Sequence, residues 1–143
     1  MQFASRYLND GRPEIAPGQT FVLGTGVANV VGMVRASDPD PGDQFALGDW
    51  QIKGGTGAYK FSIDSASGQI KVADASSIDF KNTPSYSMIV MVGDGKLPSH
   101  DAVVTITIPD KLNLCHSGHT INVSKSAVSA HIAQGDAVGS CAH

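Results

Sequence analysis

Glutamate is almost missing from this 143-residue chain: of thirteen acidic residues twelve are aspartate, and only Glu14 is not. Glutamate suits helix interiors, whereas aspartate suits turns, caps and hard-cation sites, so the imbalance argues for strands joined by Asp and Gly turns. Basic residues are few and scattered, ten Lys and Arg in a chain of formal charge −3. No basic field exists to hold phosphates, and nucleic acid is excluded as an expected partner. Long apolar runs are absent too. Nothing reaches the 18 or so residues that a spanning helix needs, so no membrane insertion is expected and the chain should be soluble. The N-terminus also lacks the basic-then-apolar order of a signal peptide, which leaves localisation to be inferred from the domains.

Catalytic patterns are missing as well. No Ser/His/Asp set, phosphate-binding Gly loop or pair of glutamates for acid–base work is present. Gly24-Thr25-Gly26 and Gly54-Gly55-Thr56-Gly57 lie in a β-type pattern with no helix after them, so they read as turns. The expectation is a protein that is not an enzyme. The enzymatic alternative is hydrolysis at a tail metal with an open coordination position.

Short apolar stretches separated by turn residues fill the middle of the chain, at about 19–23, 27–36, 50–53, 59–63, 69–73, 85–93 and 102–108. Val104, Ile106 and Ile108 share one parity, Val103, Thr105 and Thr107 the other; Val30, Val34 and Ala36 also share a parity. About seven strands at this spacing predict an all-β, immunoglobulin-like Greek-key sandwich over 19–109, preceded by a turn-rich linker over 1–18. Composition shifts at Pro109-Asp110-Lys111, and both cysteines and four of the five histidines fall in the last 29 residues. A separate small unit is expected over 110–143.

The acidic loop Ser37-Asp38-Pro39-Asp40-Pro41-Gly42-Asp43 carries the clearest binding signal. Each proline holds the residue before it extended, so Asp38 and Asp40 point the same way with backbones roughly 6.5–7 Å apart, within reach of one cation. Calcium takes six to eight oxygens, so further ligands are required, and Asp94 in Gly93-Asp94-Gly95 is a candidate.

In order along the chain, Val34-Arg35-Ala36-Ser37-Asp38-Pro39-Asp40, Phe61-Ser62-Ile63-Asp64, Ser67-Gly68-Gln69-Ile70, Ile78-Asp79-Phe80 and Tyr86 to Val90 closing on Asp94 resemble a cadherin repeat of the bacterial type over about residues 8–108. The resemblance implies a cadherin-like sandwich that is secreted or at the cell surface. It also implies that Asn9-Asp10-Gly11-Arg12-Pro13 is an inter-repeat linker, and that calcium is held by Asn9, the Gly11 carbonyl, Asp38, Asp40 and Asp94. At the other pole an acidic residue expected near Leu23-Gly24 is missing and Lys81 stands where the family has an acid, so no calcium is expected there.

In the tail, Leu114 to Val123 reads as a short strand, Ser124 as an N-cap, Lys125 to Ala133 as a helix and Gly135 as its stop. Its Cys-His, His-Thr-Ile, Ala-His and Gly-Asp pattern is similar to a short terminal module of bacterial secreted proteins. Two staples are open. Cys115, His119, His131 and Cys141 supply a Cys₂His₂ set for zinc, His119 being chosen for its shared parity with Ile121 and Val123. Alternatively, Cys115 and Cys141 form a disulfide and the histidines lie on the surface.

The function expected is that of a calcium-binding extracellular structural or adhesive module of a bacterial surface protein or filament. Its partners would be neighbouring repeats, copies of itself or a surface ligand. The alternative is a carbohydrate- or ligand-binding accessory module of a secreted enzyme, with Trp50 and Tyr59 as the aromatics available for stacking on sugars.

Overall fold

A computed structural model describes residues 14–37, 48–93, 99 and 101–141. Three groups of strands build the sandwich. One sheet runs in the order β2 (Thr20–Val22), β9 (Ala102–Thr107), β8 (Ser85–Gly93), β5 (Gly48–Gly54). The facing sheet runs β3 (Val30–Met33), β7 (Gln69–Val72), β6 (Phe61–Ile63), and a short ladder joins β1 (Glu14–Ile15) to β4 (Ala36–Ser37). β2 pairs with β9 in parallel and the other ladders within the sandwich are antiparallel. Glu14–Ile15 therefore belongs to the fold, although its residues fall in the stretch expected to be linker.

The alternation in the sequence becomes the two faces of the long strands. On β8 the side chains of Tyr86, Met88, Val90 and Val92 are buried, and Val104 and Ile106 on β9 lie on the same inner face. Phe61, Ile70, Val31 and Trp50 meet them from the other strands. Full burial of such a side chain stabilises by about 1.5–3 kcal/mol, so this shared face fixes the register. A register shift between Val30 and Gly32 breaks the expected parity in β3, so the buried pair is Val31 and Val34 instead of Val30 and Val34. Tyr86 ties the sandwich together at one corner, its hydroxyl accepting the Asp79 backbone N–H at 2.9 Å.

The tail forms a third sheet, β11 (His119–Ser124), β10 (Lys111–His116), β12 (Ala137–Val138), with helix α1 (Val128–Ala133) between β11 and β12. Its apolar residues do not make a core of their own. Leu112, Leu114, Val128 and Val138 belong to the same buried cluster as Leu23 and Ile106. Backbone bonds lock the contact: Ala28 N–H donates to the Ser140 carbonyl at 2.6 Å, Asn29 N–H to Val138 at 2.6 Å, and Ser140 N–H to Gly26 at 2.9 Å. Gly139 permits this approach, because a Cβ there would stand 2.6 Å from the Val27 carbonyl oxygen.

Candidate functional site

The expected tail strand is a hairpin. Ser117 and Gly118 take φ of 49° and 83°, a left-handed pair that closes β10 on β11 and sets His116 opposite His119. Parity along β10 then places His116 in line with buried Leu112 and Leu114, whereas His119, at the tip of β11, is exposed.

A second turn completes the site. Helix α1 follows a 3₁₀ turn at Lys125–Ala127, and Ser124 makes no side-chain cap bond. The helix ends at Gly135, with φ of 97°. Gly135 N–H donates to the Ile132 carbonyl at 2.9 Å and Asp136 N–H to the His131 carbonyl at 3.1 Å, the two bonds of a Schellman motif. This turn folds Asp136 back beneath His131. The chain then enters β12, where Ala137 pairs with Cys115 and Val138 with Leu114, so the next position along that antiparallel ladder sets Asp136 beside His116.

Asp136 is thus held between two imidazoles. Its Oδ1 lies 2.7 Å from His116 Nδ1 and its Oδ2 lies 2.9 Å from His131 Nδ1. The carboxylate side chain is 5% exposed, against 43% for His116 and 26% for His131. Burial pushes the Asp136 carboxyl up, but the hydrogen bonds from His116 and His131 outweigh it and hold the group below the ordinary carboxylate value. The two rings stand nearly perpendicular, with centroids 6.1 Å apart.

Cys115 and Cys141 are joined as a disulfide, with sulfurs 2.04 Å apart. Neither sulfur is then a thiolate, so the Cys₂His₂ zinc set of Cys115, His119, His131 and Cys141 is not assembled. His119 faces solvent across the turn from His116, and His131 is turned to Asp136. His119 shares the face of His116 across the ladder but lies at the exposed hairpin tip, so the strand histidine that meets Asp136 is the one on β10. Among the described residues, the group of His, Cys, Asp or Glu side chains close enough to hold a metal is His116, His131 and Asp136. One signal in the sequence points to it: Gly135-Asp136 as the exit of a Schellman motif.

The expected calcium ligands Asn9, Gly11, Asp38, Asp40 and Asp94 lie outside the described residues. The positions that border them are described. Glu14 pairs with Ser37, and Gly48 pairs with Gly93.

The chain superposes in part on solved cadherin and desmocollin structures. The fold is cadherin-like. Drosophila N-cadherin EC1-4 matches with TM-score 0.53 and 20% identity over 69% of this chain, and human protocadherin-24 EC1-2 with TM-score 0.56 and 16% identity over 80%. Human desmocollin-1 ectodomain matches with TM-score 0.56 and 21% identity over 76%. The chain spans 26%, 60% and 22% of those three structures. In sequence, 80 residues of the cadherin-like chain are 31% identical to the protocadherin-like wing polarity protein stan of Drosophila melanogaster, which it covers over 2% of that protein's length. No protein-family model matches.

Proposed function

We propose that this chain is an extracellular structural or adhesive module, secreted or cell-surface, that binds calcium at one pole of its cadherin-like sandwich. Its partners are neighbouring repeats or copies of itself, within a larger protein for which the sequence pattern favours a bacterial surface or filament. The reading is non-enzymatic. The observation that carries it is the register at that pole. Ladder β1–β4 brings the start of β1 beside the end of β4, and ladder β5–β8 brings the start of β5 beside the end of β8. The segment between β4 and β5 bears Asp38 and Asp40, the segment after β8 bears Asp94, and the segment before β1 bears Asn9 and Gly11. Each thus leaves the sandwich next to another, which supports a shared ion whose role is to fix these segments and stiffen a junction with a preceding repeat.

Extracellular calcium sites bind at about 0.1–1 mM, so about 1 mM calcium adds roughly 0.4–1.4 kcal/mol. Thermal melting should rise by a few degrees over a chelated sample. Asp38→Asn or Asp40→Asn should abolish most of the rise and Asp74→Asn should leave it. Equal melting with and without chelator would defeat the calcium reading. Binding of a polysaccharide, without calcium-dependent self-association, would favour an accessory module instead.

A further inference from the structure

We propose that His116, His131 and Asp136 form a second metal site, independent of calcium, which takes one divalent transition-metal ion of the zinc type. The ligands are Nδ1 of each histidine and the carboxylate of Asp136. The donor set is two nitrogens and one carboxylate, which suits zinc, cobalt, nickel or copper and is a poor match for the all-oxygen shell of calcium or magnesium.

Three features support it. One atom from each of the three side chains lies within 4.8 Å of the other two. Ligands about 2.0–2.2 Å from a zinc ion stand roughly 3–3.6 Å apart, so the 2.7 and 2.9 Å N···O contacts need open by only a few tenths of an ångström. The carboxylate side chain is 5% exposed and turns one oxygen to each ring, so it is already oriented towards both nitrogen donors. Finally, the groups come from three separately fixed places. His116 ends a paired strand, His131 lies in the helix, and Asp136 is set by the Schellman bonds and by the start of β12. The Cys115–Cys141 disulfide closes the loop that contains all three.

On binding, the ion takes the place of the protons shared between the rings and the carboxylate. Each neutral imidazole then carries its proton on Nε2, and Nδ1 gives its lone pair to the metal. Three protein ligands leave at least one position for water or an incoming donor, as in open zinc sites.

The test uses the whole oxidised protein, stripped of metal, titrated with zinc by calorimetry and with cobalt(II) by visible absorption. One equivalent should bind, and excess calcium should not displace it. Loss of an outer-sphere partner alone costs zinc sites roughly 10–100-fold in affinity, so removing a direct ligand should cost at least that. His116→Gln, His131→Gln and Asp136→Asn should each weaken binding this far, while His119→Gln leaves it unchanged. Near-ultraviolet circular dichroism and intact mass check that each variant keeps its fold and disulfide. His131→Gln changes a partly exposed side chain and serves as the second probe if Asp136→Asn fails to fold. Zinc uptake that survives in the His116→Gln/His131→Gln double variant, loss in His119→Gln equal to that in His131→Gln, or no uptake by the parent protein would each overturn the proposal.

Discussion

At the scale of single residues, the tail turns on the pairing of one buried carboxylate with two rings. Asp136 is 5% exposed and accepts from both Nδ1 atoms, so it is stabilised as an anion in the folded chain. Its folded pKa lies below its unfolded value, which is about 3.9 for aspartate. The linked stability is therefore complete above that value and is lost as the pH falls through the lower folded pKa. Asp136→Asn should lower the denaturation midpoint at neutral pH, and its difference from the parent should shrink as the pH drops below about 4. Urea melts at a series of pH values would show this. A difference that persists undiminished in acid would mean that packing, and not charge, sets the effect. His116 could be found from the sequence only once β10 was known to carry the buried parity, because a lone histidine on a half-buried strand gives no direction by itself.

At the scale of elements, the strands of the sandwich were readable because alternation and turn residues agree. β8 and β9 appear where Tyr86 to Val92 and Ala102 to Thr107 place them, and the remaining sandwich strands after β1 fall within or beside the expected stretches. Three features were not readable, each for a physical reason. The step in β3 depends on pairing with β7, a partner far away in the chain. The hairpin at Ser117-Gly118 lacks the Asn-Gly or Asp-Gly signal that most strongly favours two left-handed residues in a row. The ladder β10–β12 joins residues more than twenty apart, which no local pattern encodes. Gly135 was readable as a helix stop, and its consequence can be measured. Its φ is 97° and an added Cβ would meet no heavy atom within 4 Å, so Gly135→Ala is penalised by backbone conformation and not by a clash. A cost of about 1–2 kcal/mol is expected in equilibrium unfolding. If Ala is neutral here, the left-handed cap is not what holds the helix end and Asp136 in place.

For the whole molecule, the boundary seen in composition near residue 110 is not a boundary in the core. Leu112 and Leu114 are buried in the cluster that also contains Leu23, and Gly24 lies so close that a Cβ there would stand 3.0 Å from the Leu112 side chain. The sequence marked the tail by its cysteines and histidines, but the docking of its apolar face on the sandwich follows from tertiary packing alone. Leu112→Ala should therefore destabilise the entire protein by about 2–5 kcal/mol, in one cooperative transition followed equally by Trp50 fluorescence and far-ultraviolet circular dichroism. Two transitions, with the Trp50 signal unmoved, would show that the tail melts alone.

The disulfide also determines how this chain would carry tension. A pull applied beyond Cys141 reaches Cys115 through the sulfur bridge, 26 residues back along the chain. The hairpin turn, β11, the helix and the histidine cluster then sit on a closed branch beside the line of force, and about 90 Å of extended backbone is withheld from stretching. Load falls first on β10 and its grip on the sandwich, so the cluster at Asp136 would keep its geometry in a module under strain until the bridge is reduced.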